Sequence, residues 1–315
     1  MSTGLIEQTA GKGAAKYAAR RAAQGKPIQL KTQSHNPANR RPKALTYILL
    51  AIVVLISIFP LYAALIYGSS SNMEIGQASG TLPRWIPSLQ LFENFGEIVN
   101  HPQFNFWVAF GNSTLVAGIT AAAQVLFATL AGFAFAKLQF AGKNGFYVFI
   151  IATMAIPMQI GTIPMFIMMA NFGWIDSLLS VTVPGLVGAF GVFWMTQYLT
   201  EALPYELIEA SRVDGASMIR TFWSIVMPAA RPAAATLALF TFVGSWNSFF
   251  WPSIMLRSRE VLTLPLVIPM LRGAFTQNIP LVLTGVFLVA LPLLLVFIFL
   301  GKQLVAGVMA GAVKG

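Results

Sequence analysis

Hydrophobic residues form six long stretches that contain no Asp, Glu, Lys or Arg. The stretches cover residues 44–73, 98–136, 144–175, 177–200, 232–256 and 273–301. Each is long enough to cross a bilayer as a helix, which takes roughly 20 apolar residues. The first is apolar on every face over residues 45–67, whereas a barrel strand alternates apolar and polar positions. The pattern therefore predicts an all-α polytopic membrane protein with six transmembrane helices.

The positions of the charges predict the spans and their orientation. We predict spans at 44–66, 107–135, 145–168, 178–198, 232–255 and 280–301. Positive charges in short loops are retained in the cytoplasm. With a cytoplasmic N-terminus, four of the 20 Lys and Arg residues lie in outer loops and the other sixteen lie inside. We therefore expect both termini in the cytoplasm and an uncleaved first span that serves as a signal anchor.

Composition supports a membrane protein and explains the positive net charge. Hydrophobic residues make up 57% of the chain and charged residues only 10%, whereas soluble proteins carry about 25% charged residues. Of the 20 basic residues, nine lie in residues 1–43, which contain a single aromatic residue, Tyr17. We expect this basic segment to be a disordered cytoplasmic tail attracted to anionic lipid headgroups, not a nucleic-acid-binding arm. Residues 44–315 form the predicted membrane domain.

The positions of the ionisable residues and the lack of known catalytic motifs argue against catalysis and against ion coupling. All ten acidic residues lie outside the predicted spans, whereas proton-driven and voltage-driven proteins need ionisable groups at membrane depth. The sequence lacks the G-x-x-x-x-G-K-[ST] phosphate-binding loop and contains no cysteine. Its two histidines, His35 and His101, lie in the tail and in an outer loop. We predict that the chain is not an enzyme and binds no metal or cofactor itself, so that any driving energy comes from a partner.

The segment over residues 200–232 is the longest inner loop after the tail, and it predicts a helical hairpin. Pro204 suits the first position of a helix, and Gly215 suits its end because glycine adopts the left-handed conformation without a Cβ penalty. Ser217 can cap a second helix, which we expect to finish before Pro228. A hairpin that merely joins two spans would account for this periodicity.

Three spaced elements of the hairpin form a recognisable motif: Glu209-Ala210-Ser211, then Gly215, then Ile225-Val226-Met227-Pro228. The motif resembles the EAA loop of ABC importer permeases, in which E-A-A is followed by three residues, G, nine residues and I-x-L-P. Ser211 replaces the second alanine and Met227 the leucine. These departures are mild.

Two further segments resemble maltose-type carbohydrate permeases. Residues 243–252, VGSWNSFFWP, and residues 262–265, LTLP, are similar to the fifth-span region of that family. Residues 307–315 resemble its shared C-terminal ending. Together with Asn112-Ser113 early in the second predicted span, the resemblance covers residues 44–315.

The resemblance implies a permease subunit of an ATP-driven, binding-protein-dependent importer in a bacterial inner membrane. It implies as partners a second homologous permease, two ATP-binding subunits that carry ATP and Mg, an extracytoplasmic solute-binding protein and the lipid bilayer. The hairpin, about residues 200–230, would be the coupling helix that docks on the ATPase, and the spans would work by alternating access. The residues that carry this role are Glu209, Ala210, Ser211, Asp214, Gly215 and Ala216.

Neutral polar and aromatic residues at membrane depth are the candidates for the solute path. Amides both donate and accept hydrogen bonds, and aromatic faces fit the C–H surface of a sugar. The main candidates are Asn112, Gln124, Trp246, Asn247, Phe250 and Trp251. The wider set adds Ser113, Thr114, Gln159, Thr162, Ser248 and Phe249. Interfacial anchoring and hydrogen bonds between helices explain such residues equally well.

We expect the solute to be a carbohydrate, and within that class an oligosaccharide. A glycerol-phosphate or polyol importer is the nearest alternative, although a phosphorylated solute would favour basic groups near the path. An ion-coupled secondary transporter is a further alternative, and it would require an ionisable or broken-helix ion site at midplane. A membrane structural or assembly protein would explain the spans without any transport path.

Overall fold

The computed structural model describes residues 44–272 and 278–312. The predicted tail over residues 1–43 and the last three residues of the C-terminal motif lie outside this part. Within the described residues all regular secondary structure is helical. The all-α class predicted from the hydrophobic pattern is therefore confirmed.

The helices fall into a long set and a short set. The long helices are α1 (Ala44–Gly68), α4 (Phe106–Lys137), α8 (Ala189–Ala202), α11 (Met227–Trp246) and α14 (Ile279–Ala312). The short helices are α2 (Asn72–Gln77), α3 (Gln90–Val99), α5 (Lys143–Thr153), α6 (Thr162–Asn171), α7 (Leu178–Thr182), α9 (Tyr205–Val213), α10 (Met218–Thr221), α12 (Phe250–Met255) and α13 (Leu264–Val267).

Five helical segments of the described chain are long and apolar enough to cross a membrane. They are Ala44–Gly68, Phe106–Lys137, Leu178–Ala202, Met218–Trp246 and Ile279–Ile298. The third predicted span, 145–168, is not one helix. It divides into α5, a 3₁₀ turn at Met158–Gly161 and α6. The division falls at Pro157, because a proline lacks the N–H that would continue the helix. Six crossings therefore remain a prediction.

The fifth predicted span, 232–255, has different boundaries in the structure. The helix begins at Met218, passes through a π-helical turn at Phe222–Val226 and continues as α11 to Trp246. The expectation that the second hairpin helix finishes before Pro228 is therefore wrong. The π turn shifts the hydrogen-bond register by one residue, which lets the helix continue past a proline that lacks its N–H. Beyond Trp246 the chain breaks, and α12 follows as a separate helix.

Helix α4 lies at the centre of the bundle and packs against both α8 and α11. The closest approach is at Gly132, where a Cβ atom would lie 2.7 Å from Cβ of Met195 and 2.9 Å from the backbone nitrogen of Thr196. Membrane helices pack without a large hydrophobic driving force, so small residues that bring backbones together dominate their contacts.

Two hydrophobic cores hold the bundle. The first core surrounds Trp246 and Met255 and includes residues of α3, α4, α13 and α14. The second core contains Phe133, Leu199 and Ile208 together with Phe222 and Val226. Because Ile208 belongs to the hairpin, the second core attaches the hairpin to the spans.

The described chain divides into two compact units, one ending at Ser57 and the other beginning at Ile58. In the first unit, every described side chain from Ala44 to Ser57 is exposed, and most are large and apolar. In the second unit, exposed apolar side chains recur on several helices, such as Phe149 and Ile163. Such surfaces suit contact with lipid or with another chain.

Candidate functional site

The hairpin begins directly after Pro204, which has an extended backbone and precedes the first turn of α9. We predicted Pro204 at the first helical position, and the structure places it one residue earlier. The end of α4 supports the start of the hairpin, since Nζ of Lys137 donates a hydrogen bond to the carbonyl of Thr200 at 2.9 Å. A lysine is favourable there because carbonyls at a helix C-terminus lack intrahelical partners.

Gly215 ends α9 in the left-handed conformation, with φ of +73°, as its position in the motif predicted. Two backbone hydrogen bonds form a Schellman turn around it. The N–H of Gly215 donates to the carbonyl of Arg212 at 3.0 Å, and the N–H of Ala216 donates to that of Ser211 at 2.9 Å. The turn fixes the direction in which the chain enters α10.

The inner face of the hairpin is formed by Ile208 and Ser211, both buried. The hydroxyl of Ser211, only 5% exposed, donates to the carbonyl of Ile208 at 2.8 Å and lies 3.0 Å from the hydroxyl of Thr221. Ser217 caps α10 as predicted, accepting from the N–H of Arg220. Ser211 therefore joins the two arms of the hairpin, whereas the motif predicted it among the partner-contacting residues.

The outer face of the hairpin carries most of the other residues predicted for coupling. Glu209, Ala210, Asp214 and Gly215 are exposed, and Ala216 is half-buried. Apolar side chains lie among them, since Val213 is 87% exposed and Ile219 is 73% exposed. Exposed apolar residues beside acidic groups form a surface suited to a protein partner.

Sequence reasoning did not single out Val213 and Ile219. The signal that could have identified them is their position on the hairpin away from the face that carries Ile208. An apolar residue there has no core to fill.

Asn112 and Ser113 bind the segment that carries the LTLP motif. Nδ2 of Asn112 donates to the carbonyls of Glu260 and Leu262, both at 2.9 Å, and the N–H of Leu264 donates to Oγ of Ser113 at 2.8 Å. Two separate pieces of the predicted family pattern therefore form one hydrogen-bonded unit. In this conformation the side-chain NH2 group of Asn112 is hydrogen-bonded to the loop that contains Glu260 and Leu262.

Gln124, on α4, contacts the interruption that separates α7 from α8. Its Nε2 donates to the carbonyl of Gly185 at 3.0 Å, and a Cβ on Gly188 would lie 2.9 Å from that nitrogen. The missing side chain at Gly188 lets the amide approach the backbone closely. Gln124 is twelve residues from Asn112 along α4, or about 18 Å, so the structure does not bring these two candidates together.

The two tryptophans predicted for the solute path donate hydrogen bonds to neighbouring helices. Trp246 is 1% exposed, packs against the rings of Phe110 and Phe242, and donates from its indole N–H to the carbonyl of Val289 at 3.1 Å. Trp251 is half-buried and donates to the carbonyl of Ser180 at 2.9 Å. Both indole N–H groups are used in contacts between helices.

The break between α11 and α12 presents the exposed candidates. Asn247 is exposed and donates from Nδ2 to the carbonyl of Val243 at 2.9 Å. Phe249 and Phe250 follow and are exposed as well. Phe249 also lines an open cleft with Ser253, Leu256, Arg257, Leu262, Leu266, Pro269 and Met270. An amide beside aromatic rings can bind hydroxyl groups and C–H faces together.

Asp176 links two loops and was not singled out from the sequence. Its carboxylate accepts hydrogen bonds from the N–H groups of Arg257 at 2.7 Å and Ser258 at 2.8 Å, and from the hydroxyl of Ser258. These hydrogen bonds hold the pKa of Asp176 below its usual value of 3.8. The available signal was that Asp176 is the one charged residue between two charge-free stretches.

Among the described residues, His, Asp and Glu form no group of three that could hold a metal ion.

Comparison with known proteins identifies related transport proteins. Residues 124–304 match the family described as binding-protein-dependent transport system inner membrane component. The arabinooligosaccharides transport system permease protein AraQ of Halalkalibacterium halodurans is 30% identical over 265 residues, or 84% of this chain and 94% of AraQ. The lactose transport system permease protein LacG of Rhizobium radiobacter is 30% identical over 275 residues, covering 87% and 97% of the two chains.

Two further matches extend the comparison. The sn-glycerol-3-phosphate transport system permease protein UgpE of Yersinia pestis is 32% identical over 213 residues, or 66% of this chain and 74% of UgpE. The crystal structure of a bacterial ABC transporter involved in the import of the acidic polysaccharide alginate matches with a TM-score of 0.71 at 21% identity. That match covers 88% of this chain and 99% of the other, and it establishes a shared fold.

Proposed function

This chain belongs to the family of binding-protein-dependent transport system inner membrane components, and from that membership we propose that it forms half of the solute path of an ATP-driven carbohydrate importer. Proteins of this family are multi-pass inner membrane permeases that work with an ATPase and a solute-binding protein. The proposed assembly adds a second homologous permease and pairs the two permeases with two ATP-binding subunits.

The main support for the proposal is that one helix connects the hairpin to the break between α11 and α12. The hairpin lies at one end of this helix and the break, which we propose to face the solute, lies at the other. The helix over Met218–Trp246 has 29 residues, a length of about 44 Å. Its first turn belongs to the hairpin, and Asn247 follows its last residue. A displacement of the hairpin by a partner would therefore reach the break through continuous backbone hydrogen bonds.

Alternating access follows from this arrangement if the ATPase subunits contact the hairpin differently before and after they close. A partner can shift a two-state equilibrium only through contacts that differ between the states. The outer face, with Glu209, Ala210, Val213 and Asp214, supplies those contacts. ATP and Mg belong to the partner subunits, and the hairpin lies in the cytoplasm together with both termini.

The proposed solute is an uncharged carbohydrate, and within that class an oligosaccharide. AraQ and LacG are described as permeases for arabinooligosaccharides and lactose, which supports a sugar. Asn247, Phe249 and Phe250 offer an amide and aromatic faces and carry no charge themselves, while Arg257 is the one charged residue among the described residues that line the cleft with Phe249.

The experiment that tests the proposal is co-purification of the tagged chain from its native membrane, followed by an ATPase assay in liposomes. We expect a second permease and an ATP-binding subunit to purify with it, and ATPase activity to rise with a sugar-loaded binding protein. A chain that purifies alone and transports on an ion gradient would refute the proposal.

Cysteine crosslinking tests the docking face, because the natural sequence contains no cysteine. We expect Val213→Cys to crosslink to the ATP-binding subunit. Gln77→Cys, also exposed but at the end of α2, is the matched control and should not crosslink to that subunit. Equal crosslinking at both positions would contradict the assigned docking face.

UgpE supports a second candidate solute, a glycerol phosphate or polyol. A phosphorylated solute requires cationic groups along its path. Transport of labelled lactose or an arabinooligosaccharide, each compared with glycerol 3-phosphate in the same proteoliposomes, distinguishes the two candidates.

A further inference from the structure

The segment between α2 and α3 turns back along α1. The hydroxyl of Tyr67 donates to the carbonyl of Thr81 at 2.9 Å, and the hydroxyl of Tyr62 donates to the carbonyl of Trp85. Tyr62 and Tyr67 are five residues apart on α1, or about 7.5 Å along its axis. As the loop proceeds from Thr81 to Trp85, it therefore runs back alongside α1, toward Tyr62.

The tip of this segment is apolar and exposed. Trp85 is 75% exposed and Ile86 is 77% exposed. Trp85 is fixed beside Tyr62, which is six residues or about 9 Å before the end of α1. One turn deeper, Ile58 and Phe59 are also exposed. The tip is thus continuous in depth with the apolar surface of the span.

Part of the backbone of the segment needs no water. Pro83 and Pro87 have no N–H, and the carbonyls of Thr81 and Trp85 accept from the two tyrosine hydroxyls. In the described chain the N–H groups of Arg84, Trp85 and Ile86 donate to no protein acceptor. Unsatisfied backbone groups are costly in hydrocarbon, so the segment suits the headgroup boundary, where water and headgroups can accept from them.

The single charge of the segment is also compensated. Arg84 forms an ion pair with Glu74, and Glu74 accepts from the N–H of Ser71 at 2.8 Å as part of a capping box. A paired charge at the membrane surface is less costly to bring near lipid than an isolated one. The pair also attaches the segment to α2, which holds the tip in place.

We propose that residues 83–87 form a lipid-inserted wedge, in which Trp85 and Ile86 enter the boundary between headgroups and acyl chains. Tryptophan is enriched at that boundary because its ring is apolar and its N–H can bind water or headgroups. Depth along the span and continuity with Ile58 and Phe59 identify a lipid surface as the partner. The wedge would brace the outer end of α1 against the bilayer.

Spin labels on single cysteines test the wedge in the assembled transporter, reconstituted in lipid nanodiscs with its partner subunits. Ile86→Cys and, separately, Trp85→Cys place the label at the tip. Gln77→Cys, at the exposed end of α2, is the matched control. Co-purification of the ATP-binding subunit with each variant shows that the assembly is intact. Collision rates are measured with oxygen, which partitions into lipid, and with a water-soluble nickel chelate.

We expect oxygen collisions to exceed nickel collisions at both tip positions and the order to reverse at Gln77. Nickel collisions that dominate at the tip would place the segment in water and overturn the proposal. Low collision rates with both reagents would show that a protein surface covers the tip, and this outcome would also overturn it. Neither result depends on the solute or on ATPase activity, so the proposed transport function is tested separately.

Discussion

Gly215 offers a quantitative test of how the hairpin transmits force. Its φ of +73° is unfavourable for a residue with a Cβ, while the space around a Cβ at this position contains no atom of the described chain within 4 Å. The cost of substitution is therefore conformational, about 1–2 kcal/mol for an ordinary L-residue. A cost of this size lowers the population of the native turn roughly 5- to 30-fold.

Three substitutions at Gly215 should rank by their tolerance of the left-handed region. Asparagine visits this region readily, alanine less so, and a β-branched residue is a genuine outlier there. We expect Gly215→Asn to retain most of the ATPase stimulation by a solute-loaded binding protein, Gly215→Ala to lose part of it, and Gly215→Val to lose nearly all. Transport should fall in the same order.

The assay uses the reconstituted complex, with subunit content measured by quantitative gels for each variant. Assembly should stay intact, because Gly215 is exposed and outside both hydrophobic cores. An effect that grows with side-chain size, so that Asn is as harmful as Val, would show a clash with the partner instead of backbone strain. Full activity in Gly215→Val would refute the coupling role of the turn.

Four other substitutions test close approaches and hydrogen bonds of the structure. Gly132→Ala places a Cβ against the backbone of α8 and should destabilise the protein by about 1–3 kcal/mol, measured by thermal unfolding in detergent. Asp176→Asn should speed exchange of the two amides that donate to it about tenfold at neutral pH, since a charge-assisted hydrogen bond is worth about 1.5 kcal/mol. Asn112→Ala should lower the yield of folded protein. Asn247→Ala should leave assembly normal and change the sugar concentration that half-saturates transport.

The predictions for Gly132, Asp176 and Asn247 each have a control or a contrary outcome. Gly118→Ala lies on the same helix with nothing within 4 Å of the added Cβ, so it should not destabilise the protein. Because the folded-state pKa of Asp176 is lowered, its bonds are present at neutral pH and lost as the pH falls through that lowered pKa. Unchanged protection of the two amides, measured relative to their intrinsic exchange rates at each pH, would contradict the role assigned to its carboxylate. An Asn247→Ala variant with unchanged sugar dependence would remove Asn247 from the solute path.

Local sequence rules predicted the hairpin because its determinants are local. Gly215 ends α9 where a left-handed residue is needed, and Ser217 caps the next helix through the N–H of Arg220. Both effects involve atoms within a few residues of one another. The continuation of the helix past Pro228 was missed, because the chain passes Pro228 through a π turn, and the local rules for caps, glycine and proline do not predict one. Two residues of that turn, Phe222 and Val226, pack in the second core.

The assignment of residues to the solute path depended more on tertiary structure. The indole of Trp246 is an aromatic candidate in the sequence, but packing against Phe110 and Phe242 places it in the first core. Asn112 finds its acceptors about 150 residues later in the chain, at Leu262. A single sequence carries no signal for such distant pairs.

The sequence by itself determined the membrane class, the helical architecture and the hairpin, since apolar length, glycine and caps act within a segment. Tertiary structure decided which side of each helix is buried, because a span that is apolar all round has no periodicity to reveal its packed face. The buried side of each helix is set by close approaches such as Gly132 against Met195 and by buried polar contacts such as Ser211 with Thr221. In lipid, where apolar burial no longer separates inside from outside, these contacts define the fold.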